Sequence, residues 1–150
     1  KIPHLKLDYG NINSRFNATG GSTPADLRKL IISVRQSKLP DHKKNGNAGS
    51  FFKNPVIDKD ALNRLKVSFE DIPVYPAPGN KYKLAAAWLI EKAGWKGKRE
   101  GRTGTWPTQP LVIVNYGGAS GQEIFEFAEK IAEDILAKTG ILLEREVNVL

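Results

Sequence analysis

Residues 111–140 read LVIVNYGGASGQEIFEFAEKIAEDILAKTG. Leu111 to Asn115 is a continuous apolar run, as expected of a strand buried on both faces. Ser120 and Glu123 have the spacing of a capping box, in which hydroxyl and carboxylate each take one orphan backbone N–H of a helix's first turn. Ile124, Ala128, Ile131 and Ile135 then recur on one face, so the pattern predicts a long amphipathic helix reaching about Thr139. Gly140 supplies a residue suited to the left-handed conformation that often ends a helix. A buried strand feeding a one-faced helix calls for a helix packed on a sheet.

Downstream, ILLEREVNVL alternates, with Ile141, Leu143, Val147 and Val149 on one side and Leu142, Glu144, Glu146 and Asn148 on the other. Upstream, GWKGKREGRTG interleaves glycines with Lys96, Lys98, Arg99 and Arg102. It lacks the Gly-Lys-Ser/Thr ending of a phosphate loop and reads as a short twisted hairpin. Lys83–Lys92 is predicted helical, with Leu84, Trp88 and Ala87 or Ile90 inward and Gly94 as cap. Ile72–Pro78 is extended. Lys59–Phe69 is a short helix with Leu62 and Leu65 inward. Thr23, Pro24 and Asp26 start another helix as N-cap, first position and first-turn acid. Its Leu27, Leu30, Ile31 and Val34 share a face, and Pro40 stops it. Ile2–Leu7 reads as a strand, Asp8–Asn11 as a turn and Asn17–Gly21 as a loop. Helices and strands interleave without the regular spacing of a doubly wound fold. The predicted class is α+β: two layers, with helices on one face of a small mixed or antiparallel sheet.

The composition excludes several classes. The chain has 150 residues, enough for one domain with a core. No apolar run approaches the roughly 20 residues of a membrane span, and KIPHLKLDYG has no signal-peptide core. There are no cysteines and only two histidines, so disulfides and Cys or His metal clusters are ruled out. Methionine is absent, which points to a piece of a longer chain. The net charge is +7, concentrated in Lys1–Gly49 and Lys81–Arg102. Such a distribution fits an anionic partner, whether nucleic acid, phosphate ester or acidic metabolite.

Asn45–Pro55, NGNAGSFFKNP, carries the best candidate chemistry. It reads as a glycine-rich loop: Gly46 and Gly49 allow tight turning, Phe51 and Phe52 can anchor it in a core, and Ser50, Lys53 and Asn54 are polar groups in a short span. GNAGS is not a nucleophile elbow. Ser50 could instead donate a proton, but only to a centre as basic as a carbanion, because a hydroxyl is a weak acid. Lys53 or Lys38 could assist electrostatically. Glu146 is either a partner acid or a plain exposed strand glutamate, and Tyr9 either contacts a ligand or packs.

Four ordered motifs, SKLPDHKKNGNAGSFFKNP (37–55), KLAAAWLIEKAGWKGKREGRTG (83–104), QPLVIVN (109–115) and LEREV (143–147), resemble the C-terminal part of UDP-N-acetylenolpyruvoylglucosamine reductases. The likeness covers nearly the whole chain, and the Asp8–Gly10 DYG resembles the type I form, which closes a tyrosine-bearing loop over substrate. The resemblance implies a cytoplasmic step of peptidoglycan synthesis. In it, NADPH reduces FAD, and the flavin passes hydride to the enolpyruvyl group of UDP-N-acetylglucosamine enolpyruvate, giving UDP-N-acetylmuramate. It implies that Ser50 protonates the resulting carbanion and that Glu146 helps stabilise or protonate it. Tyr9 and Lys38 would grip the UDP diphosphate, and Asn54 and Gln109 would line the substrate site. Arg145 replaces a common proline, and Gly104–Pro107 lacks a histidine often found before Gln109.

By the same resemblance, residues 1–13 end a flavin-side domain and carry the tyrosine loop, 14–140 form the substrate-binding domain, and 141–150 form a terminal strand returning toward the flavin side. FAD and a catalytic arginine belong to N-terminal domains absent from this chain, so the chain alone is expected to bind no flavin and no metal and to be inactive. Neither nucleic acid nor membrane is an expected partner. Two alternatives stay open at this point: a basic nucleic-acid- or phosphate-binding module, and a catalytically dead scaffold.

Overall fold

The structure, a computed structural model, describes residues 5–7 and 11–148. The chain divides into two compact units, Lys1–Leu39 and Pro40–Leu150. The first holds helices α1 (Ile12–Ala18) and α2 (Pro24–Lys38). Thr23 accepts a hydrogen bond from the Asp26 N–H while the Asp26 carboxylate takes the Thr23 N–H, a capping box that fixes where α2 begins. The Phe16 ring is buried, and a Cβ on Gly21 would lie 2.5 Å from it, so glycine is needed where the α1–α2 connection crosses that ring. The Asn17–Gly21 loop expectation is corrected at its start: α1 runs through Ala18. Its sequence, INSRFNA, has too few apolar residues to show a helical period. Leu5–Leu7, the described part of the predicted first strand, forms no regular element.

The second unit contains two antiparallel sheets rather than the single sheet expected. One has the order β1 (Gly46–Ser50), β7 (Gln109–Asn115), β6 (Thr103–Trp106), β5 (Arg99–Glu100). The other has the order β2 (Val56–Ile57), β4 (Lys81–Leu84), β3 (Val74–Ala77). Helices α3 (Lys59–Ser68), α4 (Ala86–Lys92) and α5 (Gly121–Thr139) complete it. The α+β class stands. The expected Lys83–Lys92 helix is corrected: Lys83 and Leu84 belong to β4, and the helix starts at Ala86. Strong helix formers in LAAAWLIEK mask a two-residue alternation that is realised by pairing with β2 and β3. That hairpin turns through Gly79 (φ +71°) and Asn80 (φ +55°), both in the left-handed region.

The capping chemistry sets the remaining boundaries. Asp58 caps α3, its side chain accepting from the Ala61 N–H. Ser120 and Glu123 form the expected box at the start of α5, and Gly140 ends that helix at φ +69°. Between β7 and α5, Asn115 Oδ1 accepts the Gly117 and Ala119 N–H groups while its Nδ2 donates to the Ala119 carbonyl. One side chain thus closes the turn that brings α5 back over the sheet.

A single apolar core joins the two sheets and three helices. It includes Phe51, Phe52, Leu62, Leu65, Leu84, Leu89, Ile90, Ile113, Ala128, Ile131, Ile135, Ile141 and Leu143. Each large side chain fully buried here contributes about 1.5–3 kcal/mol. Trp95 stacks edge-on against Phe127 at 5.6 Å and donates its indole N–H to Asp134 at 2.7 Å. Lys138 donates to the same carboxylate oxygen at 2.7 Å.

The Lys138 bond first, then the Trp95 bond, hold the Asp134 carboxyl below its ordinary value of 3.8. A carboxyl depressed in the folded state contributes stability above its unfolded pKa and loses it as pH falls through the folded pKa. Acid unfolding of the wild-type chain should therefore steepen below about pH 4. Asp134→Asn should be less stable at pH 7 and show a shallower acid slope in urea melts; an unchanged slope would contradict the assignment. Phe52 is 1% exposed, and Phe52→Ala should cost roughly 3–5 kcal/mol in the same melts.

Candidate functional site

The stretch read as a loop is a strand. Gly46–Ser50 forms β1 along β7, with Gly46 opposite Asn115 and Asn47 opposite Val114. The register then slips, so that Ser50 lies opposite Val112. Three residues of β1 are matched by two of β7, a one-residue bulge. Gly49 sits inside it at φ +75°, a conformation that explains the glycine. A Cβ there would meet no atom within 4 Å, so backbone geometry and not space is the constraint.

After Ser50 the chain changes partners. The Phe51 N–H donates to the Leu111 carbonyl of β7 at 2.8 Å, while the Phe51 carbonyl accepts from the Glu146 N–H at 2.8 Å. The Lys53 N–H then donates to the Glu144 carbonyl at 2.8 Å, making Phe52 and Arg145 an antiparallel pair. Phe51 and Phe52, edge to face at 5.3 Å, anchor this junction in the core as the sequence indicated. The segment 141–148 is not the regular strand expected, since it pairs only through the Arg145 bridge, but it keeps the predicted alternation: Ile141 and Leu143 are buried, Val147 is half-buried, and Leu142, Glu144, Glu146 and Asn148 are exposed. Val149 lies outside the described residues.

The junction brings two of the predicted residues together. Ala48, Ser50, Glu146, Val147 and Asn148 line a shallow cleft of about 460 Å³. Ser50 and Glu146 come from opposite ends of the second unit, and the Phe51–Glu146 hydrogen bond joins the two segments. Both side chains are exposed to the cleft.

The other predicted residues lie elsewhere. Asn54 and Lys53 line a separate cavity of about 680 Å³ with Lys81, Leu142 and Glu144. The Asn54 Oδ1 accepts the Ala86 N–H at 3.0 Å, doing for α4 what its N-cap residue, Ala85, cannot. Its amide nitrogen carries the remaining donors. Gln109 opens β7, half-buried, three residues before the Val112 that faces Ser50. Lys38 closes α2 in the first unit. Tyr9 lies outside the described residues. One polar contact escaped sequence reading: Lys53 Nζ bonds Glu144 Oε2 at 2.9 Å, across 91 positions of sequence. The outward phase of Glu144 in ILLEREV was the available signal, but its partner depends on the junction.

The basic glycine-rich run is a hairpin, as predicted, formed by β5 and β6 around Gly101 and Arg102. Its cations are engaged within the fold. Lys98 sits 3.7 Å over the Trp95 ring, and Arg99 lies 4.3 Å over Tyr116. Arg102 donates to the Gly118 carbonyl at 2.9 Å. Lys98 and Lys130 flank Glu100, and their bonds hold its carboxyl below the ordinary 4.5. A Cβ on Gly104 would lie 2.7 Å from the Lys98 carbonyl, so the run closes on itself and leaves no open cradle.

Comparison with known proteins gives the family. A family model described as UDP-N-acetylenolpyruvoylglucosamine reductase, C-terminal domain, matches residues 40–150. The enzyme of that name from Xanthomonas oryzae pv. oryzae is 45% identical over 149 residues, covering 97% of this chain and 44% of that protein. Its counterpart in Pseudomonas aeruginosa is 45% identical over 147 residues, covering 97% and 43%. That of Pseudomonas fluorescens is 43% identical over 150 residues, covering 99% and 44%. The chain thus spans less than half the length of these relatives, and the matched C-terminal domain begins where the second compact unit begins, at Pro40. The chain belongs to the UDP-N-acetylenolpyruvoylglucosamine reductase family and carries that family's C-terminal domain.

Proposed function

We propose that this chain is the substrate-binding part of a longer cytoplasmic oxidoreductase that converts UDP-N-acetylglucosamine enolpyruvate to UDP-N-acetylmuramate in peptidoglycan synthesis. The observation that carries the reading is the common cleft of Ser50 and Glu146, built by the change of strand partner at Phe51. Such a cleft can present a hydroxyl and a carboxyl to one small group.

The reaction adds hydride to one carbon of the enolpyruvyl double bond and a proton to the other. The hydride comes from FAD, itself reduced by NADPH. Among the described residues, the glycine-rich run closes on its own backbone at Gly104, where a Cβ would lie 2.7 Å from the Lys98 carbonyl, so it offers no cradle there to a cofactor diphosphate. We place both cofactors on the portion of the longer protein that this chain does not span. What the chain supplies is the proton. Hydride addition leaves an electron pair on the carbon beside the carboxylate. Ser50 Oγ–H donates to that carbon, and the alkoxide left behind regains a proton from solvent. A hydroxyl is a competent acid here because its acceptor is a carbanion. Glu146, on the same cleft, is assigned to helping stabilise or protonate the intermediate.

Substrate binding is assigned to Tyr9, Lys38, Asn54 and Gln109. Lys38 offers a cation to a diphosphate. Asn54 contributes through Nδ2, because its Oδ1 is committed to α4. A nucleic-acid role is not favoured, because the hairpin cations are spent on aromatic rings, carbonyls and Glu100.

Two measurements test this reading. Purified alone, the chain should be colourless and should not oxidise NADPH when substrate is added; a yellow, active preparation would overturn the division of labour. In the full-length protein, Ser50→Ala should leave flavin reduction by NADPH intact and slow substrate reduction by about 10²–10⁴-fold in stopped flow. An unaffected second half-reaction would exclude Ser50 as the proton donor.

A further inference from the structure

Ser50 faces the cleft only because of the bulge. If β1 ran regularly from Asn47 opposite Val114, Gly49 would face Val112 and Ser50 would face Leu111. Residues opposite one another on paired strands point to the same side of the sheet. Leu111 and Ile113 lie on the side that packs into the core. A regular strand would therefore turn the Ser50 hydroxyl toward the core and Phe51 away from it. The extra residue reverses both at once, placing Ser50 on the cleft and Phe51, 5% exposed, in the core.

A bulge leaves its extra residue unpaired and locally disrupts the ladder. Asn47 holds this one. Its Oδ1 accepts the Gly49 N–H at 3.1 Å, and its Nδ2 donates to the Asn45 carbonyl at 3.1 Å. One side chain spans the bulge on both sides, taking up the glycine N–H and fixing the strand's entry. The ladder resumes immediately after Ser50, at the Phe51–Leu111 bond.

We propose that Asn47 is the positioning residue of the proton transfer: its amide clamps the Gly49 bulge and thereby sets the direction of the Ser50 hydroxyl. Asn47 touches no reacting atom in this account and acts only through Ser50. The inference rests on the proton-donor reading of Ser50, and the test separates the two.

The test is a double-mutant cycle in the full-length protein, read on the second half-reaction by stopped flow. Asn47→Ala should slow substrate reduction at least 10-fold, change KM less than 3-fold and leave NADPH-dependent flavin reduction unchanged. Asn47→Asp, which keeps the acceptor for the Gly49 N–H, should recover most of the loss. Added to Ser50→Ala, the Asn47→Ala change should cost less than 2-fold more, because a misdirected hydroxyl no longer matters once it is gone. Should Asn47→Ala not fold, Asn47→Gln carries the same groups one methylene too far, and the cycle is read on it. Additive losses, or an Asn47 variant as fast as wild type, overturn the positioning role while leaving Ser50 intact. If Ser50→Ala is itself without effect, the proton-donor reading falls, and this inference with it.

Discussion

At Phe51 one residue serves two partners: its N–H goes to Leu111 of β7 and its carbonyl takes the N–H of Glu146. The local arrangement of the second unit follows from that division. Before it, β1 lies on the four-stranded sheet; after it, Phe52 and Lys53 run beside the segment 144–146. Burial of both phenylalanines makes the crossing rigid, because neither ring can leave without opening the core around Leu84, Ile90 and Ile135. Backbone amides therefore place a hydroxyl and a carboxyl from distant parts of the chain on one cleft. Such placement is more exact than two long side chains meeting by themselves could achieve.

The charge of the molecule takes a different meaning once the fold is known. A sequence with +7 net charge invites an anionic polymer as partner. Much of the density around residues 96–102 is instead structural, stacked on Trp95 and Tyr116 or paired with Glu91 and Glu100. Exposed pairs of this kind contribute little stability each, but they occupy cations that would otherwise be offered to phosphates.

What the sequence made legible was local chemistry. The capping boxes at Thr23 and Ser120, the cap at Asp58, the glycine stop at Gly140 and the inward phases of α3 and α5 are all written within a few residues of where they act. The missed α1 lacked an apolar period, whereas the two misread strands share one cause, pairing with another segment. Lys83 and Leu84 are a strand because β3 lies beside them, and Gly46–Ser50 is a strand because β7 does. No propensity within either segment says so. The candidate residues were found in sequence as types, but the cleft shared by Ser50 and Glu146 depends on a backbone bond between positions 51 and 146. The bulge was visible only as two glycines of uncertain purpose. Its effect on side-chain direction needed the register against β7.

We propose that this junction aims Ser50 at the carbon that hydride addition would make basic. A crystal structure of the full-length protein soaked with UDP-N-acetylglucosamine enolpyruvate tests this most directly. Ser50 Oγ is expected within about 3–3.5 Å of that carbon, with the Glu146 carboxyl beside it and the Gly49 bulge intact. An enolpyruvyl group seated away from this cleft, or a Ser50 hydroxyl turned toward Leu111 and the core, would contradict it.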